Sequence, residues 1–588
     1  MNVEQLLAQY ERMAEAPDAV VRLRRFVLDL AVRGKLVDQN PADEPAFEQL
    51  QRIATEKARL AKAGEVKARK INARVRQEPL GFLPPGGWAL TDLGAVALKI
   101  TDGAHKTPTY VERGVPFVSV KDFSAGRLSL SNTRFIPESE HRVLYQRCDP
   151  RRGDILIGRI GTLGKAVLVD TDEEFSLFVS VGLIRIDHQN LCAAFFRLLL
   201  NSPFVEEEFD RIKIGGGTHT NKLNLGDLHT VALPIPPLAE QHRIVAKVDE
   251  LMALCDRLEE ARKEREAARD RLTASSLARL NAPDPDPANF TTHACFALDN
   301  LPALTTRADQ IKQLRQTILN LAVRGRLVAQ NEADEPAVKL LKEIGEERLH
   351  LVKAGKVRKP KPLSRPTASE ICFAAPDKWI WCRLGDLVLD SDAGWSPQTA
   401  GHARRGDAWG VLKVSAVSWD QFDPTANKQV LPGTEPRLQA QVRKGDFLIS
   451  RANTAELIAR SVLVVEEPLH LMMSDKIVRL RLSEHCDHRF AWLINNYADF
   501  AREYYAANAT GASPSMKNVS RSVILGLPIP LPPRAEQRRI VAKVDELMIL
   551  CDCMETSLAK VDEIRQCLLE AALHEALEPA PVRELEVA

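Results

Sequence analysis

Polar and basic side chains gather in a few loop-like stretches. Their types suit hydrogen bonding to nucleic acid better than bond-breaking chemistry. The stretch ITDGAHKTP (100–108) sets His105 and Lys106 between glycine and proline. Ser119, Lys121, Arg159 and Thr162 lie in or just past apolar runs, and Thr218, His219, Thr220, Asn221 and Lys222 follow the glycines of GGGTHTNK (215–222). A second set occurs farther along: Trp395, Ser396 and Gln398, then Lys413 and Ser415, then Arg451 and Asn453, then Ser513, Ser515, Lys517 and Asn518. Arg and Lys can bond guanine edges, Asn and Gln adenine edges, and Ser and Thr either a base edge or a phosphate. RGDILIGR and KGDFLISR both end an apolar run on arginine, at 159 and 451, so the two sets correspond by position. Taken singly, each of these side chains can equally be a solvated loop residue.

Motifs for catalysis are not found. GGGTHTNK lacks the GxxxxGK[ST] spacing of a phosphate-cradling loop and does not join a strand to a helix. The Asn/Asp-Pro-Pro-aromatic tetrapeptide and glycine-rich turn of an amino-methyltransferase are missing too. Glu65-Val66-Lys67 has the look of a nuclease ExK, but the matching place in the other half reads Lys356-Val357-Arg358. G-x-S-x-G, HExxH and a Cys/His dyad are likewise absent. The chain reads as a binding protein.

Bulk properties fit that reading. A chain of 588 residues is too long for one core, and 45% hydrophobic with 27% charged residues is ordinary for a globular protein. The formal charge of +1 does not by itself announce a nucleic-acid binder. Ten cysteines without a CxxC pair or zinc spacing read as reduced packing residues, and no metal is expected. The N-terminus lacks the apolar core of a signal peptide, and no apolar run nears the ~20 residues that span a bilayer. The expectation is a cytoplasmic protein without membrane contact.

The elements that must hold these loops are written twice. AEQHRIVAKVDELM (239–252) returns as AEQRRIVAKVDELM (535–548), with only His242 against Arg538 different. LRRFVLDLAVRGKLVDQNPADEPA (23–46) returns as LRQTILNLAVRGRLVAQNEADEPA (314–337). The repeat unit is about half the protein, far longer than a solenoid period. Leu23, Phe26, Val27, Leu30 and Ala31 share one helical face, and Gly34 supplies a helix end. A second helix is expected from about Pro45 to Ala63, followed by the basic segment Lys62 to Arg76, and the other copy repeats both with the basic segment 353–365.

Between the frames the texture turns to short strands: 115–120, 154–158, 165–169 and 177–186, then 411–417, 446–450 and 461–465, with one short helix in each insert near Phe195–Leu200 and Phe490–Ala498. Each insert ends in a proline cluster, LPIPP or IPLPP, read as unable to continue a strand. Long helices follow. Ile244, Val248, Leu251, Cys255 and Leu258 form one stripe, and Ile540, Val544, Leu547, Cys551 and Met554 form its twin. Only the second continues as a heptad stripe through Leu547, Met554, Val561 and Leu568.

The combination of duplicated frame, LAVRGKLV/LAVRGRLV helices, DGAHKTP loop, RGDILI strand, TNKLNLGDL segment and the two PPxAEQxRIVAKVDELM helices resembles the specificity subunit of type I restriction–modification systems over essentially the whole length. The resemblance implies an α+β fold with two target-recognition domains separated by two long antiparallel, coiled-coil-like helices in a pseudo-twofold repeat. The expected domains are a helical frame at 1–80, a recognition domain at 81–237, a central frame at 238–378 (long helix 238–280, linker 281–293, helices 307–356), a second recognition domain at 379–533 and a last long helix at 534–588.

It further implies no catalysis and no cofactor in this chain, and double-stranded DNA as ligand. The implied partners are two modification subunits using S-adenosylmethionine, with two motor-nuclease subunits using ATP and Mg. The DNA-binding candidates, read from residue type and position, are His105, Lys106, Lys121, Arg159, Thr218, His219, Asn221 and Lys222 in the first insert and Lys413, Arg451, Asn453, Ser513 and Lys517 in the second. The second insert departs from the pattern, reading DSDAGWSPQ (390–398) for the DGxHxTP loop and GASPSMKN for GGGTHTNK. A stand-alone methyltransferase or nuclease and a non-DNA coiled-coil scaffold remain the alternatives.

Overall fold

The computed structural model describes residues 16, 18–64, 82–215, 221–282, 287–513 and 516–577. They fall into two compact units, residues 1–265 with 562–588, and residues 266–561. The basic segment of the first frame lies mostly outside the described residues, as do Thr218 and His219.

In the first unit, helix Ala19–Val32 buries Leu23, Phe26, Val27, Leu30 and Ala31, the face its spacing predicts. It stops at Gly34, whose φ of 68° lets Lys35 N–H close back on Leu30 O at 3.0 Å. A side chain at Gly34 would also meet the Pro85 ring at 2.3 Å. Helix Ala46–Lys62 follows, and the long helix Leu238–Asn281 adds Ile244, Val248, Leu251 and Cys255 to the same core. Arg24 ties the first helix to the long one through Asp256 at 2.6 Å and Glu259 at 3.1 Å.

The second unit repeats this residue for residue. Gly325 has φ 70°, Arg326 N–H bonds Leu321 O at 2.9 Å, and Arg315 reaches Asp552 at 2.6 Å and Glu555 at 3.0 Å.

The two inserts share one topology. The first has a four-stranded antiparallel sheet in the order Ala97–Asp102, Val181–Ile186, Ile155–Gly158, Ala166–Leu168. Beside it is a three-stranded sheet, Arg134–Ile136, Val115–Val118, Ser176–Leu177, whose last pair is parallel. The second has Val388–Ala393, Ile477–Leu482, Phe447–Ser450, Ser461–Leu463, and then Asn427–Gln429, Gly410–Leu412, Leu471–Met472. Sheet residues such as Ile155, Ile157 and Ile184 are fully buried under the helices Ala193–Leu200 and Pro203–Ile212. The counterparts of those helices are His488–Tyr497 and Asp499–Asn508.

Several local expectations change. In each insert, or head, a second helix follows the one that was expected, the one in the first head being started by Ser202 capping Val205 N–H with Pro203 at the first helical position. The proline clusters do form strands: Ala232–Ile235 pairs with Ala89–Asp92, and Pro528–Leu531 with Ile380–Arg383. Each pair is an isolated two-stranded ribbon, so a proline nitrogen on the unpaired edge removes no ladder bond.

The expected strand 411–417 ends at Leu412 and turns into the 3-10 segment Val414–Val417. The linker expected over 281–293 is shorter, because a helix resumes at Pro287 and runs to Asp299. The heptad stripe also drifts: Val561 is 40% and Leu568 53% exposed, while Leu569 and Ala572 are buried. An α-helix slips about 20° per heptad against a 3.5 repeat, so three heptads past Leu547 the apolar face has rotated away.

Candidate nucleic-acid interface

In each head, four chain segments meet at the end of the four-stranded sheet where Arg159 or Arg451 stands. The other end of that central strand is pinned by charge. Asp154 closes its turn by accepting from Arg151 N–H at 2.9 Å and bonds Arg185 at 2.7 Å. Beside it, burial alone would raise the Asp149 carboxyl, but Lys99, Arg185 and Arg151 bring it to about 2. Asp446 and Arg479 repeat this pairing in the second head at 3.2 Å.

In the first head the hub is Arg159. Its backbone N–H donates to Ser180 O at 2.8 Å, and its O accepts from Leu223 N–H at 2.9 Å. Its Nε donates to Leu223 O at 3.0 Å, and its Nη1 donates to Asp102 and to Val179 O at 3.3 Å. Asp102 is 1% exposed and also accepts from Arg147. His105 Nε2 lies 3.0 Å from Asp102 Oδ2 and 3.3 Å from Arg147 Nη2.

Arg159 is therefore buried, with its Nε and Nη1 engaged. The exposed groups around it are His105, Lys106 and Lys222, with Asn221 half-exposed and its carbonyl accepting from Gly161 N–H at 3.3 Å. Lys121 is exposed on the 3-10 segment Val120–Phe123, which is fixed by a capping box between Ser119 and Asp122 and by the buried Phe123. Among the described residues, Lys106, Lys121 and Lys222 form no ion pair.

In the second head, Arg451 takes the same backbone place, donating to Lys476 O at 2.9 Å and accepting from Val519 N–H at 3.0 Å. Asn453 pairs across a two-residue ladder with Lys517, and its Nδ2 donates to Ser418 Oγ at 2.8 Å. Lys517 Nζ donates to Gly511 O at 2.7 Å. Ser396 Oγ donates to Asp475 Oδ1 at 2.6 Å and is contacted in turn by Asp475 N–H. Lys413 and Ser513 are exposed. The structure thus gathers Arg159, His105, Asn221 and Lys222 in one head, and Arg451, Asn453 and Lys517 in the other.

Asp102, Arg147 and Ser418 are hub residues that sequence reasoning did not single out. Asp102 sits at the start of the noticed DGAHKTP loop, so that acidic residue was a usable signal. Trp419, 65% exposed next to Ser418, gave none. Among the described residues, no three His, Cys, Asp or Glu side chains stand together as a metal site.

The two heads share one topology, and each presents polar and basic loops from a duplicated helical frame. A family model described as the type I restriction modification DNA specificity domain matches residues 100–266. The chain is 32% identical over 574 residues to the type I restriction enzyme EcoEI specificity subunit of Escherichia coli, covering 95% of this chain and 94% of that one. It is 26% identical over 584 residues to the EcoAI specificity subunit of Escherichia coli, covering 95% and 94%. A crystal structure of the HsdS subunit from Thermoanaerobacter tengcongensis aligns with 85% of this chain and 100% of that one at a TM-score of 0.43 and 20% identity. The chain belongs to the family of type I restriction enzyme specificity subunits. Its role is DNA sequence specificity, not catalysis.

Proposed function

We propose that each head reads one half of a bipartite, asymmetric site in double-stranded DNA. The frame then docks two modification subunits, which bring S-adenosylmethionine and methylate adenine. Two motor subunits using ATP and Mg complete the complex in the cytoplasm, where the ten free cysteines stay reduced.

The observation that carries the reading is the contrast between frame and hub. Paired contacts such as Arg24–Asp256 and Arg315–Asp552, at 2.6 Å in both units, are kept alike, as one partner bound twice requires. The residues at the end of each sheet differ, as two different half-sites require. The formal charge of +1 is compatible with DNA binding if the modification subunits supply much of the phosphate contact. The helices Leu238–Asn281 and Arg534–Leu577 have 44 residues each, about 66 Å at ~1.5 Å per residue, on the order of two duplex turns. That length suits a spacer between half-sites.

The test is to co-express the chain with its modification subunit and map adenine methylation across a plasmid. A split asymmetric motif is expected, and exchanging residues 95–230 for another head should change one half only. A palindrome, no motif, or changes in both halves would refute the reading.

A further inference from the structure

The two heads carry the same arginine at the end of the same strand but house it differently. Arg159 and Arg451 make matching backbone hydrogen bonds, to the residue before the neighbouring strand (Ser180 or Lys476) and from Leu223 or Val519. Their side chains therefore leave equivalent points. Strand register fixes what each meets next. Ile157 pairs with Gly182, which pairs with Asp102, and in the second head Ile449 pairs with Val478, which pairs with Ala393.

Two independent features make the berth of Arg159. Its stem crosses Gly182 so closely that a Cβ there would stand 2.9 Å from Arg159 Cδ and 3.2 Å from Cγ. Its guanidinium ends on the buried Asp102 carboxylate. Nε and Nη1 are then spent on Leu223 O, Asp102 and Val179 O, so the group cannot present a two-pronged edge to a ligand. The second head lacks both features. Val478 is fully buried and brings a side chain to the crossing point, and Ala393 offers no carboxylate. Arg451 is half-exposed and forms no ion pair among the described residues. Asp475 feels its charge, yet that carboxylate is engaged by Ser396 Oγ at 2.6 Å and Lys476 Nζ at 3.1 Å.

We propose that Arg451 is a specificity-determining residue that bonds guanine O6 and N7 with its guanidinium fork in the half-site read by the second head, whereas Arg159 is a positioning residue that shapes the first head's loop. This rests on the half-site reading above. A free, half-exposed arginine at a basic loop cluster matches the commonest specific contact to a base edge. An arginine whose Nε and Nη1 are spent on a buried carboxylate and two carbonyls keeps no two-pronged edge for it.

The experiment uses the full chain with its modification subunit and methylation mapping. R451A should relax one G·C position in one half-site by roughly 10- to 100-fold, leaving the other half-site and the spacer unchanged. R451K keeps the charge but not the fork and should relax the same position while methylation persists. The double variant A393D/V478G rebuilds the berth, should capture Arg451 and should reproduce R451A. Full discrimination in R451K, or relaxation in the half-site read by the first head, overturns the proposal while the half-site reading stands. A wild-type chain that yields no bipartite motif overturns both.

Discussion

Replacing Trp379 by phenylalanine probes a buried tie between frame and head. Glu536, at the start of the last long helix, is 1% exposed, and burial pushes its carboxyl pKa up. It accepts from Trp379 Nε1 at 2.9 Å and from Gln330. Trp379 is 6% exposed and packs edge-on against Phe490 with ring centroids 6.2 Å apart. Losing an N–H bond to a charged, buried acceptor costs about 1.5–3 kcal/mol, and the void left by the smaller ring adds about 1 kcal/mol. The expected total is about 3 kcal/mol. The twin is looser: Trp88 is half-exposed, and its Nε1 lies 3.1 Å from both oxygens of Glu240. Water can replace that donor, so W88F should cost about 1 kcal/mol.

Hydrogen exchange read by mass spectrometry separates the two sites. Since about 1.4 kcal/mol is one decade, peptides from 534–552 should lose roughly two decades of protection in W379F. Peptides from 238–256 should lose less than one in W88F. Equal losses, or a larger loss in W88F, would refute the argument that burial of the indole sets the strength of the tie.

Glu370 offers a pH test. Arg383 holds both of its oxygens, at 2.7 and 2.8 Å, and keeps its carboxyl at about 2. A depressed folded pKa stabilises above the ordinary carboxyl pKa of about 4.3 and ceases to as pH falls toward the folded value. The stability deficit of E370Q in urea melts should therefore be full at pH 7 and shrink between about pH 4 and 2, and a constant deficit would contradict this. Lys121 tests phosphate contact: in K121A the slope of log affinity against log salt should fall by about 0.9 with the methylated motif unchanged, and a changed motif would make it a base reader. Inserting four residues between Glu260 and Arg271 should add about 6 Å of helix, or roughly two base pairs of spacer, with both half-sites intact. An unchanged spacer would remove the long helix from the spacing role.

The frame was legible because it is local and repeated. Leu23, Phe26, Val27 and Leu30 state a helical face within about two turns, and Gly34 and Gly325 state its end. The strands carrying Ile155 and Phe447 were legible as apolar runs for the same reason. What escaped depends on partners distant in sequence. Nothing near Arg159 says that its guanidinium will end on Asp102, because that pairing is made by the order of strands in the sheet. The proline strands escaped because the cost of a proline depends on whether its edge of the strand has a neighbour, and only the fold shows that the ribbons have two strands. The heptad through Val561 and Leu568 misled because a short repeat fits both 3.5 and 3.6 residues per turn and the difference accumulates with length.

The hubs also suggest how two heads can diverge on one frame at little cost in stability. The bonds that gather the four segments in each head are largely main-chain: Arg159 to Ser180 and Leu223, Gly161 to Asn221, Arg451 to Lys476 and Val519. Such bonds do not depend on which side chains the residues carry. The side chains at the same points are then free to change, and two paired sheet positions, Asp102 with Gly182 against Ala393 with Val478, decide whether a shared arginine is sequestered or available. The buried berth of Arg159 combines a carboxylate with a gap in the sheet, and a buried charge that loses its partner is strongly destabilising. Exchanging one of the pair alone should therefore harm folding, whereas exchanging both should move the arginine between its two roles. Recognition can change by such paired steps inside a sheet whose backbone stays the same.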